Sequence, residues 1–354
     1  MKSNILCSAA ALTLIAGAAT AGGIQRDGDR SQILFEDGDN YVEFSATHVS
    51  PSVRSTSAVQ GGPTPNIQES YQTFHLGYKR AVSDQITVAL LVQEMVGADV
   101  SYPATGTGGA LFQGGTATVD SMAVTGLVKY QFNDRFSAYG GLRVQSLQGN
   151  VSVPAIGNYA LTVGNDYRAG YVLGAAYEIP DIALKVAFTY ESEIEHEFRD
   201  NAGNPFKVAI PQAATLHLQS GVAQNTIVFG SARWQEWTEF QIAPADFALF
   251  PSPIASEPSD IWTYEIGVGH RFNESWAGSF TIGYEEDQGD IVGNLSGRDG
   301  FVSYGLGVKY SAETYDVSAG VKYIEIGDAV TSRAGSSFEG NDAIAFGVKM
   351  GFRF

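Results

Sequence analysis

Four side chains in the sequence have the types and the spacing to bind an anionic ligand. They lie within segments in which every second residue is hydrophobic: Arg143, Lys185, Lys322 and His217. An arginine or lysine in a dry cavity binds a carboxylate through a charge-assisted hydrogen bond. These four residues are therefore candidate ligand-binding groups. The alternative role for each is to pair with acidic side chains of the protein itself.

Residue patterns typical of an enzyme are not apparent. His75 and His217 share a face of their segments with the charged residues, but the sequence shows no serine–histidine–acid arrangement. The Asp-Gly-Asp triplets at 27–29 and 37–39 lack the twelve-residue loop of a calcium site, which favours simple turns. The single cysteine is Cys7. We expect no catalytic residue, no cofactor and no metal.

The segments that carry the charged residues alternate with a period of two, which predicts β-strands. The last of them, 342–354, places apolar side chains on one face and small or basic ones on the other. Mean hydropathy is near neutral, and no apolar run reaches the roughly 18 residues of a spanning helix. Fourteen strands are predicted, at about 41–50, 71–80, 85–96, 118–132, 136–148, 167–179, 182–192, 213–222, 226–237, 260–272, 276–286, 301–310, 315–326 and 342–354.

The connections between these predicted strands alternate between long and short. The long ones are 51–70, 97–117, 149–166, 193–212, 238–259, 287–300 and 327–341. This alternation and an even strand number are typical of outer-membrane β-barrels. A cation on the lipid face near the bilayer midplane costs about 2–4 kcal/mol, so Arg143 and Lys185 must point inward. The sequence predicts an all-β transmembrane antiparallel barrel over residues 41–354.

The residues before the barrel divide into two segments. Residues 1–21 have the basic start, the apolar stretch and the Ala-x-Ala ending of a signal peptide. Residues 22–40 are polar apart from Ile33, Leu34 and Phe35. A fourteen-strand barrel is too wide for its own side chains to fill, so we expect 22–40 to enter it as a short periplasmic plug with that apolar tip.

Charge and the final residue indicate the surroundings of the protein. The net charge is −17 at pH 7 and no basic patch is apparent, which excludes a nucleic-acid partner. A terminal strand that ends on an aromatic residue, here Phe354, is typical of barrels inserted by the barrel-assembly machinery. We expect a monomer in the bacterial outer membrane, in contact with lipopolysaccharide.

Several segments carry motifs that point to one family. They are Gly-Ala-Asp-Val-Ser-Tyr-Pro at 97–103, Phe-Ser-Ala-Tyr-Gly-Gly-Leu-Arg-Val at 136–144, and the segments 177–185, 190–194, 211–216 and 234–237. Together they resemble the FadL/TodX family of outer-membrane transporters for long-chain fatty acids and other hydrophobic molecules. The resemblance implies a fourteen-strand barrel, an N-terminal hatch and a kinked third strand that opens a lateral exit, here near Gly97. The hatch segment is far shorter than in that family, and its Asn-Pro-Ala motif is absent.

The resemblance also implies the function, passive uptake of hydrophobic molecules, with long-chain fatty acids as the expected cargo and no enzymatic activity. Apolar residues of two predicted loops are candidates for the first contact with the cargo: Ile156, Tyr159, Leu161, Phe198, Phe206 and Ile210. Their alternative role is to pack the loops together. A general polar porin is the alternative function, and an outer-membrane lipase or protease is a third.

Overall fold

The computed structural model describes residues 24–57, 63–104, 112–249, 251–289, 291–293, 295–332 and 335–354. These residues form a closed antiparallel barrel of fourteen strands, as the sequence predicts. The predicted signal peptide at 1–21 lies outside the described residues. None of the helices in the described part of the chain is long and apolar enough to cross a membrane.

The barrel strands follow one another in chain order around the wall. They are β1 Asn40–Ser52, β2 Tyr71–Ala81, β3 in two parts (Ile86–Gln93 and Gly97–Ser101), β4 Thr116–Gln131, β5 Phe136–Val153, β6 Tyr159–Ile179, β7 Leu184–Glu191, β8 Ala213–Ala223, β9 Thr226–Gln235, β10 Ile261–Arg271, β11 Trp276–Glu285, β12 Phe301–Ser311, β13 Tyr315–Ile326 and β14 Asn341–Arg353. The last strand closes the barrel against the first, with Tyr41 opposite Arg353.

The remaining elements are short. A five-residue 3₁₀ turn lies at Ser31–Phe35. Two three-residue 3₁₀ turns lie at Pro180–Ile182 and Trp237–Glu239. In the long connections, Ile194–Arg199 pairs with Pro205–Ile210 as a hairpin, which we call the loop hairpin. Smaller strands in the same connections are Ser55–Ser57, Gln241–Ile242, Ala255–Ser256, Ile291–Val292, Ala329–Thr331 and Ser337–Phe338.

Two of the tight connections are held by asparagine side chains. The Oδ1 atom of Asn133 accepts hydrogen bonds from the backbone amides of Arg135 and Phe136, at 2.9 and 3.0 Å. Asn273 repeats this arrangement before Trp276. Such a side chain mimics a backbone turn, so these short polar sequences reverse the chain between two apolar strands.

The two faces of the wall differ as a membrane barrel requires. Leu142 on the outer face is 71% exposed, whereas the next residue, Arg143, is 5% exposed and points into the lumen. The same alternation in β14 exposes Ile344 and Phe346 and buries Ala345. A continuous apolar belt on an outer surface indicates contact with lipid.

Two of the predicted boundaries are wrong. The predicted loop 149–166 is mostly strand, because β5 runs to Val153 and β6 begins at Tyr159. Their inward residues Val151 and Leu161 pack with other loop residues, which makes extended backbone stable beyond the membrane. The third strand, predicted as unbroken over 85–96, is interrupted after Gln93 and resumes at Gly97.

Candidate functional site

The interruption of β3 is a bulge against β4. Gln93 pairs with Ala123 and Gly97 pairs with Asp120, so residues 94–96 lie opposite only 121 and 122. The hydroxyl of Ser121 fills the broken ladder, because it accepts from the Val96 amide at 2.9 Å and donates to the Val96 carbonyl at 2.7 Å. A bulge bends its strand and disrupts the local pairing. Here it turns β3 away from β2.

The wall between β2 and β3 is therefore open over part of its length. Ladder pairing of these strands ends at His75 and Gln93. Main-chain contact resumes further along, where the Glu69 amide donates to the Asp99 carbonyl at 3.0 Å. Among the described residues, no ladder joins 71–74 to 94–98. We call this stretch the wall gap, and Gly97, the predicted lateral exit, lies on its edge.

Residues 24–27 occupy the position next to β3 that β2 leaves vacant. The Gly97 amide donates to the Ile24 carbonyl at 2.8 Å, and the Arg26 amide donates to the Met95 carbonyl at 2.8 Å. Gln25 forms an antiparallel bridge with Val96. Buried backbone groups need hydrogen-bond partners, and this short stretch supplies them. We call residues 24–27 the closing segment.

Arg26 is the side chain at the centre of the wall gap. Its guanidinium forms ion pairs with Glu94 and Asp99 of β3. It also lies over the ring of Tyr71 in β2, with Cζ 4.4 Å from the ring centre. A β-carbon on Gly97 would come within 2.5 Å of the same guanidinium, so a larger residue at that position would displace the Arg26 side chain. Sequence analysis missed Arg26, since no local pattern relates it to residues about seventy positions away.

The predicted plug residues lie inside the barrel. Ile33 and Leu34 are buried and pack with Leu91 of β3 and Tyr139 of β5. The ring of Phe35 has two ammonium groups over it, those of Lys129 at 4.4 Å and Lys185 at 4.9 Å from the ring centre. 

A buried aspartate also ties this segment to the wall. Asp29 lies 3.2 Å from Nε2 of His217 in β8 and accepts the amide of Ser31. Burial opposes the charge on Asp29. Hydrogen bonds from His217, Thr189 and Ser31 nevertheless hold the pKa of Asp29 below its ordinary value. The carboxylate therefore stays ionised at neutral pH and fixes the segment against β8.

Three of the four candidate cations face acidic side chains. Arg143 donates to Glu191 at 2.7 Å, and Lys322 lies 3.1 Å from Glu265. His217 contacts Asp29 as described, whereas Lys185 faces Phe35. Lys185, Lys322 and His217 line one lumen cavity of about 170 Å³ together with the plug, and Arg143 lines a separate smaller one. Anion binding by these residues stays a prediction from the sequence.

An apolar pocket lies beside the plug on the side of the loops. Its volume is about 60 Å³, and none of the described residues that line it is charged. Three of the predicted loop residues line it, namely Leu161, Phe198 and Phe206. Sequence analysis missed Ile24 and Phe240, which complete the lining from distant parts of the chain. A mostly apolar lining of this kind is typical of sites for hydrophobic molecules.

The other three predicted loop residues are not among those that line this pocket. Ile210 packs in the same hydrophobic cluster, and Tyr159 packs against it while its hydroxyl donates to Asp246 at 2.7 Å. Ile156 packs against a different cluster, with Val153 and Phe112. Both predicted roles of these residues, contact with a ligand and packing between loops, are compatible with these positions.

A second cavity, of about 80 Å³, lies between the apolar pocket and the wall gap. Ile24, Val119 and Phe240 line both cavities. The far end of the second cavity is lined by Arg26, Tyr71 and Gly97. A molecule in the pocket is therefore separated from the gap by the closing segment.

Comparison with known proteins shows similarity in structure rather than in sequence. No family model matches the chain, and no curated protein is significantly similar to it. A FadL homologue from Pseudomonas aeruginosa has a TM-score of 0.74 at 14% identity, with 92% of each chain covered. The chain has the FadL-type barrel fold. Two toluene transporters, TbuX of Ralstonia pickettii and TodX of Pseudomonas putida, have TM-scores of 0.61 and 0.64 at 12% identity, again with 92% of each chain covered.

The FadL-type fold agrees with the architecture that the sequence predicts. The strand number and the closure of β14 on β1 are both as predicted. Within the described residues of this FadL-type barrel, no three histidine, cysteine, aspartate or glutamate side chains are grouped as a metal site would require.

Proposed function

We propose that this protein is an uptake channel of the bacterial outer membrane, through which hydrophobic molecules pass by diffusion and leave sideways into the lipid. The observation that carries this proposal is the position of the apolar pocket, which adjoins the cavity at the wall gap. Sites for hydrophobic ligands are typically concave and mostly apolar. The similar structures are described as a FadL homologue and toluene transporters, which supports uptake rather than a polar porin or an enzyme.

The proposed path follows the lining residues. Cargo first contacts the loop hairpin and enters the pocket past Phe198 and Phe206. It then passes Ile24 into the second cavity and leaves the barrel between Tyr71 and Gly97. The other wall of this path is β4, whose Val119 lines both cavities.

Long-chain fatty acids are the cargo we propose, with Lys185 as the cation for the carboxylate. Lys185 lines the polar lumen cavity, which adjoins the second cavity of the path because Gln25 lines both. Arg143 and Lys322 already face carboxylates of the protein. Lys185 lies opposite Glu178 of β6 and has its ammonium over the ring of Phe35, and it lines the lumen cavity of about 170 Å³. A charge-assisted hydrogen bond in a dry site is stronger than such a ring contact, so an incoming carboxylate would replace it.

The remaining parts of the proposal concern the surroundings of the channel. We propose that the protein is a monomer, that the barrel-assembly machinery inserts it and that lipopolysaccharide surrounds its outer rim. We propose no catalytic activity.

Uptake by cells that lack their own fatty-acid transporter tests the function. Expression of this protein is expected to restore uptake of labelled oleate and of toluene. Leu161→Asp, which places a charge in the apolar pocket, is expected to abolish both. Leu249→Asp makes the same change on an exposed loop and is the matched control. Uptake of neither compound, with steady ion conductance in a planar bilayer, would instead indicate the polar porin.

A further inference from the structure

A small cavity lies among arginine and glutamine side chains on the inner side of the wall. Its volume is about 20 Å³, and its lining includes Arg143 and Gln145 of β5, Glu191 of β7 and Arg233 of β9. We call it the arginine cavity. A cavity needs roughly 10–15 Å³ to hold one water molecule. The arginine cavity therefore has room for a single water molecule or a single monatomic ion.

The charged groups that line this cavity do not balance one another. Arg143 and Arg233 both donate hydrogen bonds to the carboxylate of Glu191. One carboxylate neutralises only one of the two guanidinium groups. Asp27 also lines the cavity, but the Nε atom of Arg30 donates to both of its oxygens, at 2.9 and 3.1 Å. The lining therefore carries one cation more than Glu191 and Asp27 can match.

Two groups of the lining also lack a hydrogen-bond partner. Gln145 is fully buried, and none of the described residues lies within hydrogen-bond distance of its amide nitrogen or oxygen. The Nε atom of Arg233 is buried as well, and it has no acceptor in the part of the chain that the structure describes. Leaving a buried donor without a partner is costly, and an ordered water or an ion usually satisfies such a group.

We propose that the arginine cavity binds one small monovalent anion of the chloride class. The Nε atom of Arg233 and the amide nitrogen of Gln145 donate to the ion, and its charge matches the arginine that Glu191 leaves unbalanced. A water molecule would accept the same hydrogen bonds but would leave the buried charge unpaired, which is unfavourable. The ion links β5 to β9 on the inner side of the wall.

This anion site is separate from the site proposed for the carboxylate of the cargo. Lys185 does not line the arginine cavity, and a volume of about 20 Å³ is too small for a fatty acid. Arg233 lines both the arginine cavity and the polar lumen cavity, so the ion exchanges through the polar cavity. The anion site does not depend on the uptake function.

Urea unfolding of the protein in liposomes tests the site. Chloride replaces gluconate, which is too large for the cavity, at constant ionic strength. Raising chloride from about 1 to about 100 mM is expected to increase the folding equilibrium constant about tenfold, as for one site with a dissociation constant on the order of 10 mM. No increase over the gluconate value would overturn the proposal and leave a water molecule as the occupant.

Two substitutions in the lining should remove this dependence on chloride. Gln145→Leu takes away a donor without a change of charge, and it is expected to reduce the chloride effect to less than about twofold. Arg233→Met should reduce it to the same extent, because Arg143 alone is matched by Glu191. A tenfold chloride effect that persists in Gln145→Leu would mean that chloride acts elsewhere, and would overturn the site.

The matched control is Gln93→Leu. Gln93 of β3 is also fully buried, but it does not line the arginine cavity. This variant loses a hydrogen bond to the Gly28 carbonyl and should keep the full chloride effect. If Gln93→Leu lost the effect as Gln145→Leu does, the dependence would follow from a general loosening of the interior, and the anion site would be wrong.

Crystals grown with bromide in place of chloride show where the ion binds. An anomalous peak is expected between Gln145 and Arg233 in the parent protein and should be absent from Gln145→Leu. Bromide peaks at the protein surface only would overturn the proposal.

Discussion

Glu191 illustrates how single residues decide the character of the lumen. Its buried carboxylate accepts hydrogen bonds from Arg143 of β5 and from Arg233 of β9. Two arginines and one carboxylate in a dry interior are stable only while each has its partners. The alternation of the sequence places Arg143 inside, but it does not reveal Glu191 as the partner, because the two residues belong to different strands.

Because Arg143 and Arg233 share the carboxylate of Glu191, we expect a substitution of Glu191 to lower the stability more than a substitution of Arg143. Glu191→Gln leaves two buried cations without a carboxylate and is expected to lower the free energy of unfolding by about 3 kcal/mol. Arg143→Met should cost less, since Glu191 keeps Arg233. Urea unfolding in liposomes measures both. Glu197→Gln, at a mostly exposed ion pair, should change stability by under about 1 kcal/mol. Equal costs for Glu191→Gln and Glu197→Gln would contradict the buried network.

A substitution of the single residue Lys185 tests whether it binds the carboxylate of the cargo. Lys185→Met is expected to lower oleate uptake about tenfold while toluene uptake changes little, because a charge-assisted hydrogen bond contributes about 1.5–3 kcal/mol. Arg143→Met is the control, and it should leave the ratio of the two uptake rates unchanged since its charge is already matched by Glu191. A parallel loss of oleate and toluene uptake in Lys185→Met would show that the lysine supports the wall rather than the cargo.

Elements differ in how far their sequence determines them. The regular strands could be predicted because lipid and lumen impose a strict alternation, as Leu142 and Arg143 show. The interruption of β3 could not be located from residues 94–96, because the closing segment that hydrogen-bonds to them is far away in the chain. Leu161, Phe198 and Phe206 were recognised as apolar loop residues. Their assembly into one pocket with Phe240 depends on how the loops fold together.

The loop hairpin carries a titratable group that ties it to the neighbouring strand. His196 is fully buried, stacks on Phe198 and has Nδ1 3.1 Å from Asp166 of β6. Burial lowers the pKa of His196 below its ordinary value of 6.5, and Asp166 opposes this only in part. The opened hairpin therefore takes up a proton more readily than the closed one.

This linkage predicts that acid loosens the loop hairpin. Its stability is full above pH 6.5 and falls as the pH drops from there towards the lowered pKa of His196. Hydrogen exchange of the backbone amides in 194–210, corrected for the intrinsic rate, should be faster at pH 5 than at pH 7.5. His196→Phe should remove this difference. If His196→Phe kept the same pH dependence, another group would be responsible.

At the scale of the whole molecule, the barrel needs the N-terminal segment to separate two kinds of space. A fourteen-strand wall encloses more volume than its own side chains fill. The plug and the closing segment divide that volume into a polar cavity, lined by residues such as Lys322 and Glu265, and an apolar pocket that leads to the gap. The selectivity for hydrophobic cargo that we propose would therefore be a property of the assembled chain.

Removal of that segment should convert the channel into a pore for ions. Deletion of 24–36 takes away Ile33 and Leu34, which are buried against the wall, and leaves a lumen lined mainly by paired charges. We expect steady ion conductance in planar bilayers from the deletion, and none from the intact protein. Ile33→Asp combined with Leu34→Asp keeps the chain length and should conduct as well, because two charges in that apolar contact displace the plug. Exposed Ile291→Asp is the control for an added charge and should stay closed. Steady conductance by the intact protein, equal to that of the deletion, would show that the segment does not block the lumen.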